Sequence, residues 1–318
     1  MEQSIQSFVN CCLDLKLNNR KFPGSMPVSL DRCHLPRIQG TLPGSYTEYA
    51  VSAKLDGDRY FMGLLAVNGD NILFLVNRKF ETFCKAGANF THEDYFTGGT
   101  LFDAEIIGTD IILFDCMTCC GHSVKHLSYL HRIELVRAFL QDCKGELVAH
   151  NAFEYPSNFQ SYKMVITPSL VLHCKPVFPM CHVKHVSSQW PDDGLIFTEV
   201  QVPYQPFRCS ETAVLKWKPA HRMTIDFEII ARHRRFTLSD EWPDRYKQHT
   251  GHKSMRLGLS IVSHIDTEEE GIAECFWDGI QWQVVQIRTD KVTPNTLDTG
   301  LRTLGSIQAG ISMTDITF

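Results

Sequence analysis

Lys54-Leu55-Asp56-Gly57-Asp58-Arg59 places an amine, a carboxylate, a glycine and a guanidinium within six residues. The run ahead of it, Tyr49-Ala50-Val51-Ser52-Ala53, is strand-like, so the lysine is expected at the end of a strand, projecting from a fixed edge. Alone, so short a pattern also suits a solvated turn. Further blocks follow: Thr100-Leu101-Phe102-Asp103-Ala104-Glu105, Ile112-Leu113-Phe114-Asp115, Asp193-Gly194-Leu195-Ile196-Phe197-Thr198, Leu215-Lys216-Trp217-Lys218-Pro219 and Arg288-Thr289-Asp290-Lys291.

Between these blocks the chain alternates β and helical signals. Residues 1–20 have helical apolar spacing at Ile5, Phe8, Val9, Leu13, Leu15 and Leu17. Phe22-Pro23-Gly24-Ser25-Met26-Pro27-Val28-Ser29-Leu30 is too rich in Pro and Gly for a helix. Residues 59–77 predict a hairpin turning at Asn68-Gly69, and 101–116 a second hairpin turning at Gly108-Thr109-Asp110. Residues 128–142 predict a helix with Leu130, Ile133, Val136 and Leu140 apolar, Ser128 as N-cap and Gly145 as stop. After Pro219-Ala220-His221 short strands are expected at 224–231, 255–263, 271–277 and 281–288, a pattern that fits a small barrel. The last stretch, Leu297, Leu301, Leu304 and Ile307, has helical spacing and is expected to pack back onto the first domain.

The chain has 318 residues, 43% hydrophobic and 21% charged, ordinary values for a globular protein with two domains. No apolar run reaches the roughly 18 residues of a membrane span, and the polar start Met1-Glu2-Gln3-Ser4 lacks a signal pattern; an intracellular protein is expected, in nucleus or cytoplasm. Net charge is −5, with 31 Lys and Arg against 36 Asp and Glu. Proteins that grip long nucleic acids by their phosphates carry a basic excess, so a partner held by its end fits better. Cys116, Cys119, Cys120 and His122 crowd together, as do His173, Cys174, Cys181, His182 and His185, but neither group has paired zinc spacing; free thiols are expected.

In this order and at these spacings the blocks resemble the covalent nucleotidyltransferase superfamily, and within it the GTP:RNA guanylyltransferase of mRNA capping. The resemblance covers nearly the whole chain. Residues 22–30 are very similar to a segment that precedes the nucleophile in the capping branch, and separate it from the ligases. The resemblance implies an α+β fold: an antiparallel-sheet nucleotidyltransferase domain at 1–222, joined by a C-terminal helix at 301–318, and an OB-fold β-barrel domain at 223–300. It implies that Lys54 attacks the α-phosphate of GTP to give Lys54–GMP, then passes GMP to the 5′-diphosphate end of RNA, forming the GpppN cap. Lys216 and Lys218 would contact the α-phosphate, and Arg59 and Arg78 the ribose. Phe114 would stack on guanine and Lys175, in Cys174-Lys175-Pro176, would contact its carbonyl. Glu105 and Asp193 would hold Mg²⁺ or Mn²⁺, a hard-oxygen pair suited to such an ion. Arg288, Asp290 and Lys291, followed by Val292-Thr293-Pro294-Asn295, would close over the β- and γ-phosphates. An RNA triphosphatase, a cap methyltransferase and RNA polymerase are the protein partners such an enzyme implies, and a viral source would put it in a cytoplasmic viral factory.

From the residues alone, blander assignments stand beside these. Phe114 also fits a core phenylalanine, and Asp103 and Asp115 fit hairpin carboxylates capping a turn, although Asp103 shares a strand face with Glu105. Two positions depart from the family pattern: Ala104 replaces Gly between the two acids, and Asp58 replaces an apolar residue beside Arg59. An ATP-dependent RNA or DNA ligase uses the same lysine chemistry and is the alternative. A non-catalytic relative that docks on polymerase or RNA is the other, disfavoured by Lys54, Glu105, Asp193, Lys216 and Lys218 together.

Overall fold

The computed structural model describes residues 2–16, 19, 22–41, 48–88, 90–143, 171–207, 211–230, 235–237, 261–262, 271–280, 282–289 and 291–317. The chain divides into two compact units: Met1–Val28 with Pro36–Lys216, and Ser29–Leu35 with Trp217–Phe318.

The strands up to residue 217 are β1 (Val28–Ser29), β2 (Tyr49–Leu55), β3 (Asp58–Val67), β4 (Asp70–Asn77), β5 (Thr82–Ala86), β6 (Thr100–Ile107), β7 (Asp110–Cys119), β8 (His122–Ser123), β9 (Val171–Cys174), β10 (Phe178–Pro179), β11 (Asp192–Glu199) and β12 (Val214–Trp217). One sheet runs β5-β4-β3-β6-β7-β8, with β9 parallel to β7, and a second runs β1-β12-β11-β2-β10. The β3–β4 hairpin turns at Asn68 (φ 54°) and Gly69 (φ 89°), both left-handed, so the turn's twist matches that of the strands.

The first sheet is covered on both faces, and the period of two divides its residues between them. Phe61, Phe74 and Val76 pack with Ile5 and Val9 of the helix Glu2–Cys12. Their neighbours Met62, Leu73 and Leu75 pack with Val136 and Phe139 of the helix Tyr129–Asp142. That second helix is capped by the Ser128 side chain, which accepts from His131 N. Its buried face is Tyr129, Arg132, Ile133, Val136 and Phe139, whereas Leu130, expected inside, is 39% exposed. The expected apolar stripe is thus rotated, and an arginine lies within it. The N-terminal helix ends at Cys12 rather than near residue 20, close to Asp14 at φ 54°.

Two register shifts matter for the site. On β6 and β7, Asp103 faces Asp115 while Ala104 faces Leu113, which leaves Phe114 as the extra residue of a bulge. On β2 and β11, Leu55 faces Asp192 and Ala53 faces Leu195, so Asp193 and Gly194 together oppose Lys54.

In the second unit β13 (Thr224–Ile230), β14 (Arg235–Thr237), β15 (Ile261–Val262), β16 (Gly271–Trp277) and β17 (Trp282–Ile287) form a sheet in the order β14-β13-β16-β17-β15. The pairs are antiparallel except β15 with β17. Among the described residues this sheet is open at β14 and β15, so the expected barrel is not seen to close; most of the expected strand 255–263 lies outside them. What stands is a mixed fold of helices and mainly antiparallel sheets with a separate C-terminal domain. The helix Leu297–Ala309 sets Leu304 and Ile307 against Ile225, Phe227 and Trp282 of this unit's core, where its sequence had suggested packing on the first domain.

Candidate active site

Lys54 lies on β2 one residue before the strand's end, and its Nζ donates to Asp193 Oδ1 at 2.7 Å. The bulge explains the contact: with two residues of β11 against one of β2, Asp193 is re-aimed toward the lysine. The glycine of the opening motif also has a steric cause. A Cβ on Gly57 would lie 2.7 Å from the Ile106 carbonyl oxygen and 2.6 Å from Ile107 Cγ1, so only glycine lets this turn pass against β6. Gly57 N donates to Glu105 Oε1 at 3.2 Å, which ties the turn to the second carboxylate.

Arg59 is held more firmly than a solvent-facing ligand group. Its Nε and Nη2 donate to the two oxygens of Asp103 at 2.8 and 2.5 Å, and Nη1 donates to Ser25 O at 2.6 Å. Asp103 is fully buried; it neither caps a turn nor stands open beside Glu105. Burial opposes the charge on Arg59, but Asp103 more than offsets this and holds the guanidinium above its ordinary range. Asp115 is likewise no turn cap: Arg132 grips it through Nε at 2.6 Å and Nη2 at 3.1 Å inside the fold.

Phe114 is only half-buried, aimed outward by its bulge, with Arg59 Cζ 5.5 Å and Lys175 Nζ 5.4 Å from its ring centre. Both fall within the range of a cation–π contact. Lys175 is itself buried, and burial pushes its amine down to about 8, opposed by Glu105 and reinforced by Lys54 and Arg59. Burial pushes the Glu105 carboxyl up, with Lys175, the Gly57 N–H, Lys54 and Arg59 pulling the other way. Arg78 follows β4; burial first and then the like charge of Arg59 push its guanidinium down, with Glu105, Asp103 and Asp58 pulling the other way.

The structure therefore brings Lys54, Arg59, Arg78, Glu105, Phe114, Lys175 and Asp193 together in the first unit. Lys216 is on β12, one strand beyond β11, half-buried between the buried Leu215 and Trp217. Lys218 follows the end of that strand and belongs to the second unit. Also in the second unit, Arg288 Nη1 lies 3.5 Å from Asp226 and 3.7 Å from Glu274, and Lys291 pairs with Asp226. Asp290 lies outside the described residues. Two groups escaped the sequence: Tyr204, whose Oη donates to Asp103 Oδ2 at 2.6 Å, and Arg132 under Asp115. Tyr204 stands in no motif block, and Arg132 in an amphipathic helix looks like a surface residue; neither leaves a local signal.

The site thus pairs a lysine amine with a carboxylate, beside two further cations over a half-buried aromatic ring. Residues 1–220 match the mRNA capping enzyme catalytic domain and residues 222–317 the mRNA capping enzyme C-terminal domain. The chain belongs to the mRNA capping enzyme family. It is 24% identical over 301 residues to an mRNA-capping enzyme of Danio rerio, covering 90% of this chain and 47% of that protein. It is 25% identical over 340 residues to the mRNA-capping enzyme subunit alpha of Schizosaccharomyces pombe, covering 93% and 79%. An mRNA-capping enzyme of Caenorhabditis elegans is 25% identical over 315 residues, with 92% and 47% covered. The chain thus spans about half the length of the animal relatives. Among solved structures, Pmar-Lig_PreS3 aligns with a TM-score of 0.40 at 10% identity over 92% of this chain and 71% of that chain, too slight a likeness to carry an argument.

Proposed function

We propose that this chain is an mRNA guanylyltransferase that works through a Lys54–GMP intermediate. The observation that carries this is the Lys54–Asp193 contact at 2.7 Å, set by a bulge, in a chain of the capping family. In the first step the Lys54 Nζ lone pair attacks the α-phosphorus of GTP. The N–P bond forms, the bond from that phosphorus to the bridging oxygen of the β-phosphate breaks, pyrophosphate leaves, and the amine loses its proton. In the second step a terminal oxygen of the RNA 5′-diphosphate attacks the same phosphorus. The P–N bond breaks as the Lys54 nitrogen takes up a proton, Lys54 leaves as the amine, and GpppN is formed.

The chain's own groups serve these steps by position and charge. Lys54, Arg59, Arg78 and Lys175 supply four cations to the cluster beside Glu105, Asp103, Asp193 and Asp58. Lys216 and Lys218 take the α-phosphate, Arg59 and Arg78 the ribose, Phe114 and Lys175 the base, and Arg288, Asp290 and Lys291 the β- and γ-phosphates. Glu105 and Asp193 are hard-oxygen donors that both face Lys54, so the residues fit Mg²⁺ or Mn²⁺. An ion held by two carboxylates would be completed by phosphate oxygens and water. Such an ion would neutralise charge on the phosphates. The domains are proposed as 1–222 and 223–300, the latter an OB fold; its five strands match that fold's number. GTP and the RNA 5′-diphosphate end are the proposed substrates, with an RNA triphosphatase, a cap methyltransferase or RNA polymerase as partners. Among the described residues no helix is long and apolar enough to cross a membrane.

Incubation with α-³²P-GTP or α-³²P-ATP and Mg²⁺, followed by denaturing electrophoresis, tests this. A protein band labelled by GTP alone, acid-labile and absent from Lys54→Ala, is expected. Labelling by ATP instead would assign the chain to ligase chemistry.

A further inference from the structure

We propose that Tyr204 is a positioning residue for the nucleotide, acting through Arg59. The inference rests on the guanylyltransferase function above and deepens it. Four residues close a ring of hydrogen bonds. Arg59 donates to both oxygens of Asp103. Tyr204 Oη donates to Asp103 Oδ2 at 2.6 Å and accepts from Ser25 N at 3.0 Å. Ser25 O in turn accepts from Arg59 Nη1 at 2.6 Å. Tyr204 is 6% exposed and Asp103 0%, so water cannot replace a missing member at little cost. Burial, and Asp103 next, push the Tyr204 phenol well above its ordinary value, so it remains a donor throughout the working range.

Glycine completes the ring. A Cβ on Gly24 would stand 2.8 Å from Arg59 Nη2 and 2.3 Å from Phe22 Cε1, so the segment 22–30 can approach the guanidinium only because residue 24 has no side chain. Phe22 also lies under the guanidinium, 5.6 Å from Cζ to ring centre. These contacts leave one Nη2–H of Arg59 without a protein partner among the described residues, and its direction is fixed by the ring. Tyr204 therefore touches no substrate; it sets the plane from which Arg59 donates. The same ring accounts for the place of the 22–30 segment, because Ser25 supplies both a backbone donor and a backbone acceptor to it.

The test follows the rate of lysyl-GMP formation against GTP concentration for wild type, Tyr204→Phe, Gly24→Ala and a control, Tyr95→Phe. Tyr95 Oη donates to Asp142 at 2.8 Å, a part-buried hydroxyl contact outside the Arg59–Asp103–Tyr204–Ser25 ring. Tyr204→Phe is expected to raise the half-saturating GTP concentration about five- to tenfold while the rate at saturation changes less than about threefold. That is the pattern of lost uniform binding. Gly24→Ala, which displaces the guanidinium by another route, is expected to move the same quantity in the same direction. Tyr95→Phe is expected to lower the Tm without moving it. An unchanged half-saturating concentration in Tyr204→Phe, or an equal rise in Tyr95→Phe, would overturn the positioning role while leaving the function intact. Wild type unlabelled by GTP would overturn the function itself, and this inference with it.

Discussion

Arg59 and Arg288 are both arginines paired with an aspartate, and they are held on different terms. Arg59 is 8% exposed against an Asp103 that is 0% exposed, bound at 2.5–2.8 Å through two nitrogens, with Ser25 O accepting from its third and Tyr204 donating to the same Asp103. Arg288 is 22% exposed, stands 3.5 Å from Asp226 and 3.7 Å from Glu274, and shares Asp226 with Lys291, which is 35% exposed. Removing one member of a buried pair strands a charge, whereas a half-exposed pair can trade its carboxylate for another anion at small cost. The first cluster is therefore built to keep a shape. The second leaves its cations part-exposed and sharing Asp226.

Mutation of one partner in each cluster would break or sharpen that contrast. Asp103→Ala leaves Arg59 buried and uncompensated, and is expected to cost about 3–5 kcal/mol in a denaturant melt. A loss below about 1 kcal/mol would mean that Arg59 escapes to water and that the first cluster is as loose as the second. The next effect is in pH. Lys175, pushed down to about 8 by burial, is neutral in the fold and charged in the unfolded chain at pH between about 8 and its ordinary value of 10.5. The unfolded state then binds the extra proton, so stability rises with pH through that window, by on the order of 3 kcal/mol. Lys175→Met should lose this rise; parallel stability–pH curves for the two proteins would show that the lysine is solvated. The smallest change in stability is expected for Lys291→Ala, less than about 1 kcal/mol because Lys291 is 35% exposed and Arg288 still faces Asp226 without it. The same variant should slow lysyl-GMP formation about tenfold or more, and unaltered labelling would remove this residue from the phosphate site.

Much of the fold was legible because it rests on local rules. Asn68-Gly69 can hardly be anything but a left-handed two-residue turn, and the alternation of Phe61 with Met62 announces a sheet with two covered faces. The motif residues Lys54, Glu105 and Asp193 were legible as chemistry. The family likeness set them in one site, but the way Asp193 reaches Lys54 was not legible. It depends on an unpaired extra residue in β11, and no rule of composition marks which strand will carry a bulge. Arg132 was illegible for a related reason: an arginine on a helix is counted as polar, and only the buried Asp115 opposite makes its burial tolerable. The expected stripe through Leu130 failed at that point. The barrel expected for 223–300 was an inference from strand spacing and family likeness, and its closure depends on long-range pairing that spacing does not encode.

Asp193 and Phe114 both reach the site from positions where one strand carries a residue more than its partner. A strand that loses such a residue returns to strict alternation with its partners unchanged, because Asp103 with Asp115 and Ala104 with Leu113, like Leu55 with Asp192 and Ala53 with Leu195, already share faces on either side of the bulge. At these two places the sheets carry a residue that their pairing does not need. An in-frame deletion of that single codon would leave the strands zipped as before and strip the site of its carboxylate or its aromatic face.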